Sequence, residues 1–192
     1  NKNFKGQTMI NELFKDMHLR MEKAVAHYRH DVASIRTSRA SSAILDIVKV
    51  DYYGTMTPLK NMASISVPEP QMIAIQPFDP TSLASIEKAI IASDLGLNPN
   101  NDGNIIRLSI PSLTDERRGE LVKLIHNMIE DGRVAIRNIR RDINDSLKKS
   151  NKEHELSDDN LKRAMDDVQE MTDKHIAELN EIQKKKEEEI YE

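Results

Sequence analysis

The sequence has no cysteine, six glycines and only 4% aromatic residues in a chain of 192. Without cysteine, disulfides, thiolate metal sites and cysteine nucleophiles are excluded. So few aromatics offer little for base stacking, which argues against sequence-specific readout of single-stranded nucleic acid. No apolar run reaches the roughly 18 positions of a membrane span. No charged-then-apolar leader opens the chain, which reads as a soluble protein. The glycines are scattered, and none builds a phosphate loop or a nucleophile elbow, so catalysis is the weaker reading. The first residue is not Met; the eight residues before Met9 read as an expression scar, a natural extension or the trimmed end of a transit peptide.

What is present is charge in blocks. The net charge of -4 conceals +3 over residues 1–36, -4 over 37–132, +4 over 133–149 and -7 over 150–192. A strongly basic stretch in an acidic protein points to an anionic partner.

Apolar residues at Leu13, Met17, Met21, Ala24, Tyr28, Val32 and Ile35 follow a helical stripe, predicting a helix from Thr8 to about Arg36. A second stripe, capped by Thr114 with Asp115 and Glu116 in its first turn, runs through Leu121, Ile125, Met128, Ile136, Ile139, Ile143 and Leu147. Gly119 and Gly132 weaken it by about 1 kcal/mol each relative to Ala. A third helix starts at Ser157 with a Leu156–Leu161 staple, follows Leu161, Met165, Val168, Thr172, His175, Leu179 and Ile182, and fades into the charged run Lys184 to Glu189. At about 1.5 Å per residue these helices span roughly 44, 55 and 50 Å, which predicts an elongated bundle in which they pack on one another.

Residues 45–110 obey a different period. Val48, Val50 and Tyr52; Ile65 and Val67; Ile73 and Ile75; and Ile106, Leu108 and Ile110 read as short strands. One short helix from about Thr81 to Asp94 has Gly96 as its C′ residue, and Asn101, Asp102 and Gly103 form a turn. The first long helix finds partners only after position 112. The fold class is therefore α+β: a three-helix bundle from residues 1–37 and 113–192, with a β/α/β domain, 38–112, inserted. The two crossings, near Thr37 to Ala40 and Ile110 to Leu113, can act as a double hinge.

On a helical wheel at about 100° per residue, Arg133, Arg137, Arg140, Arg141 and Lys148 fall within an arc of roughly 100°, apart from Ile136, Ile139 and Ile143. They form a ridge pointing away from the core, with Glu130 the nearby carboxylate. Guanidinium forks match phosphate oxygens, and a straight row spaced by one turn suits a nucleic-acid backbone. The alternative is a solvated face paired with acidic neighbours. Arg36 and Arg39 flank the first crossing and either extend this footprint or form hinge salt bridges; Arg117 and Arg118 lie off the ridge. His27 and His30 have helical spacing with Asp31 alongside, but lack a third spaced metal ligand. His175, in the apolar stripe, reads as a satisfied interior histidine. Two other functions compete with nucleic-acid binding. One is a helical scaffold using the acidic third helix for protein partners, and the other a metal hydrolase around His27 and His30.

Five strings in order, IRTSRA (35–40), VDYYGTMTPL (50–59), IEKAIIASDLGLNPNNDG (86–103), IRLSIPSLTDERR (106–118) and GRVAIRNIRRD (132–142), resemble the ribosome recycling factor family. The resemblance runs collinearly from about Met9 to the end. It implies an L-shaped, tRNA-sized, monomeric factor without cofactor or metal, working in a bacterial cytoplasm or, with a trimmed transit peptide, inside an organelle. Its bundle would lie across the tRNA sites of the large subunit after termination and touch ribosomal RNA. Elongation factor G with GTP would act on the smaller domain, splitting the ribosome into subunits and freeing it from the messenger. Carried over by position, the RNA-binding residues are Arg133, Arg137, Arg140 and Arg141, with Lys148 continuing the row. The hinge comprises Arg36, Thr37, Ser38, Arg39, Ile110 and Pro111, and Tyr52, Tyr53 and Gly54 match the inserted domain's motif. Ser38 stands where the family commonly has Gly, which predicts a costlier backbone and a stiffer hinge. Met56 replaces a usual Pro, which predicts a looser loop.

Overall fold

The computed structural model describes residues 2–192. The chain forms two compact units, one from the chain up to Ile35 together with Glu116–Tyr191, the other from Arg36–Asp115 with Glu192.

The first unit contains α1 (Lys2–Ala33), α3 (Asp115–Lys152) and α4 (Asp158–Tyr191), with α2 lying in the other unit. At about 1.5 Å per residue they run roughly 48, 57 and 51 Å. Each supplies one apolar stripe to the core: Met17, Met21, Val25 and Val32 from α1; Ile125, Ile129, Ile136 and Leu147 from α3; Val168, Leu179 and Ile190 from α4. Helices with a single apolar stripe gain most of their stability from this packing.

The three helices depart from the sequence expectation in four places. Helix α1 begins at Lys2, not Thr8, and Gly6 lies so close to the Glu155 carbonyl that a Cβ there would sit 2.9 Å from it. Val25, absent from the expected stripe, is buried, while Leu13 is only half-buried. Helix α4 does not fade after Ile182. It continues to Tyr191 with Lys186 and Ile190 buried at successive i+4 steps, the Lys186 ammonium reaching Glu189 at 3.6 Å. Finally, Gly132 is more than a weak point, since a Cβ on it would meet Tyr28 of α1 at 3.1 Å and Leu179 of α4 at 3.2 Å. The missing side chain is what lets the three helices approach at that level.

The turn from α3 into α4 closes by backbone chemistry. Glu155 N–H donates to the Ser150 carbonyl and His154 N–H to that of Asn151, each at 3.0 Å, with His154 left-handed at φ 59°. This is the Schellman pattern, with His154 where glycine is usual. Ser157 then caps α4, its hydroxyl accepting from Asn160 N–H at 3.2 Å, and Leu156 is buried beneath.

The second unit pairs β1 (Lys49–Tyr52) with β2 (Thr55–Pro58) in an antiparallel hairpin. A four-stranded antiparallel sheet has the order β3 (Ala63–Glu69), β4 (Met72–Pro77), β6 (Ile106–Ser109), β5 (Pro99–Asn101). Helix α2 (Leu83–Ala92) shares one core with both sheets, built on Leu45, Val50, Ile73, Ile75, Ile86, Ile90, Ile106 and Leu108. Pro68 lies where the β3–β4 register shifts and Pro99 on the β5 edge, places where a missing N–H breaks no central ladder. Gly96 is left-handed at φ 66°, but it is not the C′ residue of α2. The helix ends earlier, at Ser93, whose N–H bonds the Ala89 and Ile90 carbonyls.

Entry to and exit from this unit are tied to one turn. Ala40 N–H donates to the Pro70 carbonyl at 2.7 Å and Ile110 N–H to that of Gln71 at 2.8 Å, while the Ser112 hydroxyl donates to the Gln71 side chain at 3.0 Å.

Candidate nucleic-acid interface

The basic row lies on α3, whose orientation is set by the buried Ile136, Ile139, Ile143 and Leu147. Its members differ. Arg141 and Lys148 are exposed, and neither has an ion-pair partner among the described residues. The carboxylate adjacent in sequence, Asp142, is drawn instead to Arg20 of α1, at 2.8 Å. Arg140 is half-exposed, with a long 3.5 Å approach to the Gln169 amide oxygen and no carboxylate partner among the described residues.

Arg133 corrects the expectation of a uniformly outward ridge. Only 20% of its side chain is exposed. It is folded onto α4, donating to Asn180 Oδ1 at 3.0 and 2.7 Å, to Gln183 Oε1 at 2.9 Å and to Glu130 Oε2 at 3.0 Å. Arg137, 42% exposed, donates to the other oxygen of Glu130 at 3.2 Å. Hydrogen bonds, from Arg133 first and then Arg137, hold the Glu130 carboxyl below the usual glutamate range. The row therefore divides into a braced end, Arg133, a shared group, Arg137, and an open end from Arg140 to Lys148.

The remaining expected site residues are dispersed. Arg36 is exposed, Thr37 half-buried, Ile110 half-buried and Pro111 exposed. Arg39 pairs with Glu192 at 3.2 Å. Ser38 is buried at 5% exposure, and positive φ outside glycine occurs only at Tyr53 and His154 among the described residues. The expected backbone cost at Ser38 is therefore absent, because its conformation is one any residue adopts. Met56 is not in a loose loop; it lies in β2, opposite Asp51. His27 faces Asp31 at 3.3 Å, and among the described residues no group of His, Asp and Glu could hold a metal ion. His175 is 2% exposed, its Nδ1–H donating to the Met171 carbonyl at 2.8 Å.

Tyr52, Tyr53 and Gly54 form the β1–β2 turn. Tyr53 (φ 49°) and Gly54 (φ 83°) occupy the two left-handed positions of a type I′ hairpin. Asp51 accepts the Gly54 N–H at 2.9 Å. The Tyr52 hydroxyl donates to Asp79 at 2.9 Å, a bond that raises the phenol's pKa, while Thr81 holds the Asp79 carboxyl below its usual value. The Tyr53 ring is 83% exposed, set edge-on to Tyr52 at 4.6 Å. A bulky residue in this strained conformation, solvent-facing at a tip, has no role in the core.

Sequence reasoning missed Asn180 and Gln183 as partners of Arg133, and Arg20 as the group that neutralises Asp142. The available signal was weak: polar residues on α4 at an i, i+3 spacing, unremarkable without knowing which face of α3 they meet.

Comparison with known proteins bears on this arrangement. The family model described as ribosome recycling factor matches residues 28–191. The ribosome-recycling factor of Syntrophomonas wolfei subsp. wolfei is 53% identical over 184 residues, covering 96% of this chain and all of the relative. That of Bacillus cytotoxicus is 52% identical over the same share of both chains. A solution structure of the ribosome recycling factor superimposes with a TM-score of 0.67 at 43% identity, covering 95% of this chain and 97% of the other. A second structure, from models for the T. thermophilus ribosome recycling factor and the E. coli elongation factor G bound to the E. coli post-termination complex, gives a TM-score of 0.60 at 45% identity, covering 94% of this chain and 98% of the other. With matches spanning nearly the whole chain in both sequence and structure, this chain belongs to the ribosome recycling factor family.

Proposed function

We propose that this chain is a non-enzymatic translation factor that binds the post-termination ribosome and, with elongation factor G and GTP, promotes its splitting into subunits and release from the messenger. One observation carries the physical part of this reading. Arg140, Arg141 and Lys148 stand along one face of a continuous helix without carboxylate partners among the described residues, and Arg137 adjoins them. Four cations in a row on a rigid rod fit regularly spaced phosphates of ribosomal RNA and need no aromatic readout. Arg133 serves as a brace that fixes α3 on α4 and so aims the row. The residues of the two crossings provide the pivot through which elongation factor G acts on the inserted domain. Bacterial relatives support an assignment to the cytoplasm.

The test is binding to post-termination ribosomes across a salt series, followed by a splitting assay with elongation factor G and GTP. With three to four phosphate contacts, log affinity falls against log salt with a slope of about -3 to -4. Arg141→Glu weakens binding and splitting while leaving helix content unchanged. Wild-type affinity for that variant at moderate salt would remove the row from the interface.

A further inference from the structure

Glu130 sits within reach of two members of the basic row at once. Its Oε2 accepts from Arg133 at 3.0 Å and its Oε1 from Arg137 at 3.2 Å. The two arginines are not equivalent partners. Arg133 is fixed by Asn180 and Gln183 of α4, whereas Glu130 is the group that holds Arg137. A guanidinium fork donates to carboxylate and to phosphate oxygens in the same geometry. A phosphate that takes the Arg137 Nη1 donor must displace the Glu130 Oε1 from it, and one that meets the remaining donors still has the Glu130 carboxylate beside it.

Resting on the phosphate-binding reading above, we propose that Glu130 is a specificity-determining residue, which holds the Arg137 fork in the unbound protein and yields it only to a phosphate fixed in position. A mobile or misplaced phosphate that displaces Glu130 exchanges one charge-assisted contact for another of the same kind, and then has a carboxylate as its neighbour. It gains little. A phosphate already positioned by contacts at Arg140, Arg141 and Lys148 competes at a high local concentration and wins the exchange. The displaced carboxylate is not stranded, because Arg133 stays beside it. The row thus presents its full charge to a matched, rigid backbone and a reduced charge to arbitrary RNA.

Glu130→Gln keeps the side chain's size and withdraws its charge. Asp131→Asn makes the same change in net charge one residue away, at a carboxylate with no ion pair among the described residues. Both are titrated with a duplex RNA of arbitrary sequence and with purified ribosomes over a salt series. Glu130→Gln is expected to bind the duplex about two- to fivefold more tightly than Asp131→Asn. Its salt slope should be steeper by about one, the signature of an added phosphate contact. Identical affinities and slopes for the two variants overturn the proposal. Arg141→Glu separates the levels of inference. If it weakens ribosome binding while the two neutralised variants coincide, only the role of Glu130 falls. If it leaves ribosome binding unchanged, the phosphate-binding row falls and this inference with it.

Discussion

Gly119 and Gly132 are both interior glycines of α3, and an alanine at each should act in opposite directions. At Gly119 nothing lies within 4 Å of an added Cβ, so the substitution should yield the helix-propensity gain of about 1 kcal/mol. At Gly132 the same methyl would sit 3.1 Å from the Tyr28 ring and 3.2 Å from a Leu179 methyl, on two different helices. Leu179 is fully buried and cannot retreat without displacing its own neighbours, whereas Tyr28 is half-buried and can give only on one side. Overpacking of this sort costs about 1–3 kcal/mol, which outweighs the propensity gain and leaves a net loss of about 1 kcal/mol. The two variants should therefore separate by about 2 kcal/mol, with each 1 kcal/mol moving Tm by about 2–4 °C. Thermal unfolding followed by helical circular dichroism reads this directly. If Gly132→Ala were stabilised as much as Gly119→Ala, the close approach of the three helices at that level would be refuted.

Hydrogen bonds from Ile105 N–H first, then from Arg107 and Asn104, draw the Asp102 carboxyl down to about 2 from 3.8. Because the folded pKa is depressed, its stabilisation is complete above the ordinary aspartate range and is lost as pH falls from about 4 towards 2. Asp102→Asn should flatten that part of the inserted unit's acid-unfolding profile, and an unchanged profile counts against the assignment. His154→Gly should raise stability by about 0.5–1 kcal/mol in denaturant unfolding, since glycine adopts the left-handed C′ position without strain. Tyr53→Asn should likewise gain about 1 kcal/mol at the hairpin turn but lower the rate of ribosome splitting. A stabilised variant that splits ribosomes at the wild-type rate would remove the tip from the working surface.

The long helices were legible because their stripes continue for many turns, so one misplaced residue, such as Ala24 for Val25, leaves the period intact. Two strands were not legible. Strand β2, Thr55–Pro58, has no fully buried position, and β5 is three residues of Pro and Asn at a sheet edge. Both are specified by their partners' hydrogen bonds, and no apolar alternation betrays them. The position of the basic row on α3 could be read from a helical wheel, but the state of each charge could not. Arg133 is set by residues 47 and 50 positions away, on a helix whose facing side is decided only by packing. The expectation of strain at Ser38 failed for a related reason: residue identity indicates what a backbone tolerates, whereas the conformation it adopts is set by its surroundings.

The bonds from Ala40 to Pro70 and from Ile110 to Gln71 bring the two ends of the inserted segment to one spot on its own surface. A module whose ends leave together behaves like a bead on a looped thread. It can close its core without any part of the host threading through it. Lengthening or wholesale exchange of such a bead leaves the order of the host's helices undisturbed.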